Sequence, residues 1–246
     1  MRKIVYTVLS GGYDTLHPVL NKNDEIDYIV VSDEEINVPD GWTLLKVERE
    51  KDESSILFNR KYKIKPQLIF SEYDASIYID SNISVVGDVD YLFNKLFDSL
   101  ELMLAYDHPV RSKLYEEANE LKYQGFDLFY RINKQVEFYY KDGYFDNGFY
   151  EANILVRNHS DELYLIMDTW YQLFMNGVKR DQISLMFSFW SNNKNIKSLG
   201  THDARFINDT FLYNKHIKKY PLRRKINKFI NLFALNIGLD SRINYD

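Results

Sequence analysis

The apolar positions of the first 108 residues follow two alternating patterns. Near-continuous aliphatic runs at residues 4–9, 26–31 and 76–79 and in "ELMLAYDH" predict buried β-strands, and residues 42–47 predict a shorter one. Between them, "SSILFNRKYKIKPQLIF" and "VDYLFNKLFDSL" carry apolar residues at helical spacing, and Pro66 interrupts the first. Strands without a polar face are typical of sheets covered on both sides. The pattern therefore predicts an α/β fold with a mostly parallel central sheet flanked by helices.

The second half of the chain continues with helical patterns around one more strand. Residues 111–140 have helical spacing, and "FYEANILVRN" reads as a strand. Two amphipathic helices follow, the first closing at Gly177 and the second beginning near Asp181. We find no internal repeat and no low-complexity linker. One domain is expected over residues 1–212, followed by a basic amphipathic tail over residues 213–246.

Composition narrows the class of protein. An apolar fraction of 45% in 246 residues is sufficient for a sizeable core. The absence of cysteine excludes disulfides, thiol nucleophiles and Cys-ligated zinc. The apolar run at residues 4–9 is too short for a signal peptide, and no run reaches the roughly 18 residues needed to span a bilayer. A cytoplasmic protein is expected.

The charge of the chain is unevenly distributed. Residues 215–228 contain seven Lys or Arg and no acidic residue, whereas the rest of the chain carries 24 basic and 36 acidic residues. An acidic main body argues against nucleic acid as a partner. The basic segment also contains regularly spaced apolar residues. Two interpretations stay open: a peripheral anchor on the anionic inner face of a membrane, or a helix packed onto the domain with a solvated basic face.

Small or polar residues follow each predicted strand of the first half. Because the carboxyl ends of parallel strands meet at one edge of the sheet, where ligands of such folds collect, their recurrence favours a ligand site. The four strand ends are Ser10-Gly11-Gly12, Ser32-Asp33, Asp80-Ser81-Asn82 and Asp107-His108.

Asp80 and Asn82 are the strongest candidates for a metal site. Residues i and i+2 of an extended chain point the same way, so their oxygens can converge on one cation. Oxygen ligands suit Mg²⁺ or Mn²⁺, which commonly bridge substrate phosphates. The alternative is an ordinary polar loop start, since Asp and Asn favour turns.

The segment "RKYKIKPQLIFSEYDASIYIDSNISVVGDVDYLF" resembles the central part of GT-A-type nucleotide-sugar glycosyltransferases, in which a helix precedes a strand and an Asp-x-Asp motif. "YEANILVRN" is similar to the sugar-pocket strand of retaining, family-8-like galactosyl- and glucosyltransferases, and "RDQISL" to their Asp-Gln helix start. The whole order of motifs resembles a glycosyltransferase-like family that includes plant mucilage- and cell-wall-related proteins, with Asp-x-Asn in place of Asp-x-Asp.

This resemblance implies a set of binding residues. Asp80 and Asn82 would hold the metal and the donor diphosphate, and the late His202 would be the third metal ligand. Asn82 offers a neutral oxygen where most relatives have a carboxylate, which weakens cation binding. Tyr13 is placed to stack on the base, and Arg60 to pair with phosphate. The positions expected to contact the nucleotide, its diphosphate or the sugar are Gly11, Gly12, Tyr13, Asp33, Arg60, Lys61, Ser81 and Asn153. Tight-turn roles for the glycines and solvated roles for Lys61 and His202 stay open.

The catalytic candidates lie in the second half. Glu151 and Asn153 face the same way on a strand and, with Asp181 and Gln182, would form the sugar and acceptor pocket. Asp181 in the first turn of a helix would also complement the helix dipole. The resemblance implies retention of anomeric configuration, with Gln182 against the sugar. An inverting enzyme would instead need a base, for which Asp181 and Glu151 are the candidates.

The expected function is a metal-dependent transferase acting on a nucleoside diphosphate sugar. UDP is the expected nucleotide, Mn²⁺ or Mg²⁺ the expected cofactor, and a glycan or lipid-linked molecule the expected acceptor, in bacterial surface polysaccharide synthesis. The competing interpretation is a noncatalytic nucleotide- or carbohydrate-binding relative in which Asn82 marks a lost metal site.

Overall fold

A computed structural model describes residues 1–12, 14–146, 148–206, 208–215 and 221–245 of the chain. Its strands are β1 (Lys3–Leu9), β2 (Ile26–Ser32), β3 (Thr43–Lys46), β4 (Ala75–Ile79), β5 (Ile83–Val85), β6 (Met103–Asp107), β7 (Tyr150–Asn158), β8 (Lys197–Ser198) and β9 (Phe211–Tyr213). Its helices are α1 (Ser55–Ile64), α2 (Gln67–Phe70), α3 (Asp90–Ser99), α4 (Leu114–Gln124), α5 (Phe129–Lys141), α6 (Asp161–Asn176), α7 (Asp181–Ser191) and α8 (Leu222–Asn236).

Seven strands form the central sheet in the order β3-β2-β1-β4-β7-β6-β8. Neighbours β3, β2, β1 and β4 run parallel, and β7 is antiparallel to both β4 and β6. The predicted mostly parallel α/β sheet is therefore confirmed. Since β7 runs against the others, its first residues lie at the same edge as the carboxyl ends of β1, β2, β4 and β6.

The core lies on both faces of this sheet. Along β1, Tyr6 and Val8 belong to one buried cluster, while Val5 and Leu9 belong to the other. Successive side chains of a strand point to opposite faces, so a strand that is apolar throughout contributes to two cores at once. This accounts for the uninterrupted aliphatic runs in the sequence.

The predicted helical stretch of residues 111–140 is divided in two. Gly125 follows α4 with a left-handed φ of 68°, a conformation that glycine adopts at low cost, and the chain turns there into α5. The segment after α8 then returns to these helices: the Lys122 ammonium lies 3.0 Å from the Asp240 carboxylate, and the rings of Tyr140 and Tyr245 stack. The boundary between domain and tail at residues 212/213 stays a prediction.

Candidate active site

Asp80 directly follows β4 and marks the centre of the polar edge. Its backbone N–H donates to the carbonyl of Asn153 at 2.8 Å, which continues the pairing of β4 with β7. Its carboxylate oxygen Oδ1 accepts hydrogen bonds from the Tyr78 hydroxyl at 2.8 Å and the Lys63 ammonium at 3.2 Å. The side chain is 30% exposed, so the carboxylate also faces solvent.

Lys63 joins two acidic residues that are distant in sequence. Its ammonium lies 3.2 Å from Asp80 Oδ1 and 2.8 Å from Asp181 Oδ2, with only 2% of the side chain exposed. The end of α1 is fixed in place because the buried Arg157 guanidinium donates to the Lys63 carbonyl at 2.8 Å. Lys63 therefore holds the start of α7 against the end of β4.

Asp181 is buried among cations. Besides Lys63, the Arg60 guanidinium lies 3.2 Å from the same carboxylate oxygen. Burial alone would raise the pKa of Asp181, but Arg60 and Lys63 outweigh it and hold that pKa far below the usual value for aspartate. Asp181 is consequently a fixed negative charge and a very weak base.

Glu151, at the start of β7, lies in a second cluster beside the first. The Gln182 amide donates to its Oε2 at 3.2 Å, and the Arg205 guanidinium lies 2.5 Å from its Oε1. Burial raises the pKa of Glu151, and Arg205 partly offsets that increase. Its pKa thus moves in the opposite direction from that of Asp181, although Gln182 and Asp181 are adjacent in the chain.

His108 follows β6 and contacts the Glu151 cluster. Its Nε2 lies 3.3 Å from Glu151 Oε1, and its Nδ1 accepts from the backbone N–H of Arg111 at 2.9 Å. Burial, reinforced by Arg111 and Arg205, lowers the pKa of His108 to about 3, so the ring is neutral at pH 7.

Asn153 is connected to this cluster through Asp203. The Asn153 amide donates to Asp203 Oδ2 at 3.0 Å, and the Arg205 guanidinium pairs with the same carboxylate at 2.6 Å. The structure therefore brings Glu151, Asn153, Asp181 and Gln182 together, as expected from the sequence.

Four arginines with side chains 21–33% exposed surround the buried acids, which are all below 10% exposed: Arg60, Arg111, Arg180 and Arg205. Arg111 and Arg180 share the carboxylate of Glu117, at 2.6 and 3.2 Å. Partly exposed guanidiniums above buried carboxylates suit an anionic ligand, since a guanidinium fork matches phosphate oxygens.

The ends of β1 and β2 offer a different environment. Within the described residues, Ser10 Oγ and Asp33 Oδ1 are buried and have no hydrogen-bond partner, while Asp33 Oδ2 lies 3.1 Å from Arg49 Nε. Gly11 adopts a left-handed φ of 66°, and a Cβ there would lie 2.9 Å from the side chain of Ser55. Unsatisfied buried polar atoms are costly, so their presence at a sheet edge is typical of a ligand site. Gly12 is also left-handed, and Tyr13 lies outside the described residues.

Three other predicted contacts are paired with protein groups. Lys61 pairs with Glu50 and lies 3.8 Å from Glu53. Ser81 is buried and donates to Asp14 Oδ2 at 3.3 Å. The buried Asn82 amide donates to the carbonyl of Asn214 at 2.7 Å, which ties the loop after β4 to the segment after β9.

His202 is exposed and lies in a separate cavity of about 340 Å³ whose other lining residues are Tyr91, Tyr106, Leu199, Gly200, Thr201, Asn208, Asp209 and Thr210. Neither Asp80 nor Asn82 lines this cavity. Among the residues that the structure describes, no group of three or more His, Asp or Glu side chains is placed to hold a metal ion.

The donor set does not fit the divalent site that the resemblance implies. Lys63 already supplies a positive charge 3.2 Å from Asp80, and a divalent ion placed there would meet that charge at close range. The buried Asn82 side chain is anchored through its amide nitrogen to the Asn214 carbonyl, which leaves its oxygen as the one possible ligand atom, and His202 lies in another cavity. The Mn²⁺ or Mg²⁺ site stays a prediction, which this arrangement does not favour.

Sequence reasoning missed Lys63, Asp203 and Arg205. Lys63 follows Arg60 by three residues in a predicted helix, so the two side chains share one face, and that spacing could have identified it. Asp203 and Arg205 lie in a loop without a periodic pattern. Only the folded chain brings them to Glu151.

Comparisons with known proteins show the family of this chain. The family described as TOD1/MUCI70, glycosyltransferase-like domain, matches residues 41–207. No curated protein matches. Among solved structures, the apo structure of the bifunctional glycosyltransferase WbbM is similar in fold, with a TM-score of 0.51 and 14% identity. The match covers 80% of this chain and 38% of that one. Because the family match spans more than half of its residues, this chain belongs to the TOD1/MUCI70 glycosyltransferase-like domain family.

Proposed function

We propose that this chain transfers a sugar from a nucleoside diphosphate sugar, with UDP as the nucleotide, to a glycan or lipid-linked acceptor. The observation that carries the proposal is the cluster at the carboxyl edge of the sheet. There Asp80, Asp181 and Glu151 lie buried or half-buried beside Lys63 and partly exposed guanidiniums.

The nucleotide would bind at the ends of β1 and β2. Ser10 Oγ and Asp33 Oδ1 have buried hydrogen-bonding capacity without a partner in the described structure, and a base or ribose supplies matching groups. Gly11 and Gly12 leave the backbone without side chains beside that position. This orientation points the diphosphate along the edge toward Arg60.

Negative charge builds on the departing diphosphate as the glycosidic bond breaks. Arg60 is the candidate to neutralise this charge, because its side chain is 27% exposed even though it pairs with Asp181. Lys63 is a positioning residue in this scheme. Its ammonium is shared by the carboxylates of Asp80 and Asp181, and it fixes these two groups, toward which the sugar hydroxyls would donate.

The two acids differ in what they can do. Asp181 has a strongly lowered pKa and suits hydrogen bonding to sugar hydroxyls as a permanent anion. Glu151 has a raised pKa, the shift that a general base at neutral pH needs. Retention would use the leaving phosphate as the proton acceptor and leave Glu151 to bind the acceptor. Inversion would use Glu151 as the base.

A divalent ion, if bound, would stabilise the leaving diphosphate as a Lewis acid. We assign no step to it because the donors beside Asp80 do not fit it. The charge stabilisation is assigned instead to residues of this chain.

The test is a screen of nucleotide sugars for transfer and slow hydrolysis, comparing the wild type with Asp181→Asn. The matched control is Asp168→Asn, because Asp168 is an exposed aspartate that pairs with Lys65. We expect Asp181→Asn to lose at least about 100-fold in rate with the best donor, the scale for removing one preorganised group. The control should keep wild-type activity.

Equal rates for Asp181→Asn and wild type would refute the site. Nucleotide binding by calorimetry without turnover of any donor would instead identify a noncatalytic binding relative. Proton NMR of the transferred anomer then distinguishes retention from inversion.

A further inference from the structure

The last helix presents its apolar side chains to solvent. Five residues spaced three or four apart form one continuous outward stripe on α8 and the turn after it, each between 52% and 72% exposed: Leu222, Ile226, Phe229, Phe233 and Ile237. Ile230, which is 39% exposed, widens it. Isolated exposed apolar residues are ordinary, but a contiguous stripe of this size marks an interaction surface.

The face that α8 turns to the protein is polar or small. Its buried residues are Asn227, Asn231 and Ala234. The Asn231 amide donates to the carbonyls of Lys122 and Asp127, both at 2.9 Å, and its oxygen accepts from the Phe129 N–H at 2.8 Å. These three hydrogen bonds fix the rotation of α8 about its axis.

Gly125 fixes the distance between the helices. A Cβ at this position would lie 2.1 Å from the Arg224 carbonyl and 2.4 Å from the Lys228 nitrogen, so the backbone of α8 rests directly on the turn after α4. The helix is thus held with its apolar stripe outward by contacts that a side chain at Gly125 would prevent.

Positive charges flank the stripe. Arg223 and Lys225 are exposed on its two sides, one position after Leu222 and one before Ile226, and the Arg223 guanidinium also lies 3.7 Å from the Asp127 carboxylate. Arg224 and Lys228 lie over the rings of Phe126 and Tyr123, at 4.1 and 4.2 Å. Residues 215–228 contain no acid.

We propose that α8 binds flat on an anionic lipid bilayer, with the stripe in the acyl boundary and the flanking cations at the headgroups. An exposed apolar stripe with basic residues on both sides is typical of a helix that lies in a membrane interface. The positive charge of these residues favours an anionic lipid surface over a neutral apolar partner. Its 15 residues extend about 22 Å, enough to lie in the interface. None of the helices that the structure describes has the length and hydropathy of a membrane-spanning segment. The proposal is independent of donor and mechanism.

The test uses the full chain and sedimentation with vesicles of phosphatidylcholine and phosphatidylglycerol at a ratio of three to one. The variant Phe229→Ser/Phe233→Ser removes two rings of the stripe, and Leu100→Ser/Leu165→Ser removes two equally exposed apolar residues elsewhere. We expect the stripe variant to bind vesicles at least tenfold more weakly than wild type, and the control variant to bind normally. Thermal unfolding of both variants should match the wild type, because none of these side chains is buried.

Two further measurements test whether the stripe binds anionic lipid or a second copy of the chain. Vesicles of phosphatidylcholine alone, or added salt, should reduce wild-type binding at least tenfold, whereas equal binding to neutral vesicles would overturn the role of charge. A wild-type dimer in light scattering that the stripe variant dissociates, with no vesicle binding, would assign the stripe to a second copy and overturn the proposal. Absence of both binding and dimerisation would also refute it.

Discussion

The carboxyl edge of the sheet and helix α8 both depart from the usual placement of side chains, and they do so in opposite ways. At the sheet edge, charged groups such as Lys63 and Asp181 are buried, while on α8 large apolar groups such as Phe229 are exposed. Burying a charge is costly unless a partner compensates it, and Lys63 has two carboxylate partners. The apolar stripe has no partner in the described chain. The comparison teaches that the buried charges of the sheet edge are compensated by partners within the fold, whereas the apolar stripe of α8 is not.

Removal of Lys63 should give the largest effect. Lys63→Met leaves Asp80 and Asp181 without their shared cation, and breaking a buried pair costs about 3–5 kcal/mol of unfolding free energy. Transfer activity should fall by about 10²-fold or more, because Asp181 loses its fixed position. Urea denaturation and initial rates measure the two effects.

The matched control is Lys65→Met, two residues further along. Lys65 lies 2.8 Å from Asp168, whose side chain is 53% exposed, and exposed pairs contribute less than about 1 kcal/mol. If the two variants lost equal stability, the buried pair would be no more important than a surface pair, and the comparison would fail.

Lowering the pH should reduce the free energy of unfolding through His159, whose ring is held in its neutral form by the fold. Burial lowers the pKa of His159 to about 4, while the unfolded chain has a value near 6.5. The unfolded state therefore takes up a proton first, and stability is lost as pH falls from about 6.5 to about 4, by about 3 kcal/mol at most. The difference in unfolding free energy between wild type and His159→Gln should shrink over this range. The exposed His202→Gln serves as the reference, and a pH-independent difference for His159→Gln would contradict the assignment.

The buried asparagine of α8 should matter more for stability than the exposed phenylalanine beside it. Asn231→Ala removes three hydrogen bonds and leaves backbone groups of Lys122, Asp127 and Phe129 without that partner, at a cost of about 2 kcal/mol. Phe229→Ser should change stability by less than about 0.5 kcal/mol. Thermal denaturation compares them. A larger loss of stability for Phe229→Ser than for Asn231→Ala would mean that the stripe packs against another surface in solution.

Chelation should give the smallest effect. With Lys63 beside Asp80, we expect less than about a twofold change in transfer rate after treatment with EDTA, on the view that the charge at this site is already compensated. The measurement is the initial rate before and after chelation. A loss of activity that Mn²⁺ restores would show that transfer needs a bound metal ion and would contradict this expectation.

The local pattern of the sequence determined the elements and their class. Uninterrupted aliphatic runs indicated strands buried on both faces, and Pro66 correctly placed the end of α1 just before it. The polar residues after each strand indicated the edge where a site would lie. These inferences succeed because strand burial, helix termination and turn chemistry depend on neighbouring residues.

Tertiary structure decided which of these residues meet. Lys63 joins Asp80 and Asp181 across about a hundred residues, and Arg205 reaches Glu151 from a loop with no periodic signal. The sequence showed that the last helix was basic and amphipathic, and it left two roles open: a peripheral anchor on a membrane, or a helix packed onto the domain with a solvated basic face. Three hydrogen bonds to Asn231 and the bare backbone of Gly125 selected the polar face, and such long-range contacts have no counterpart in local periodicity.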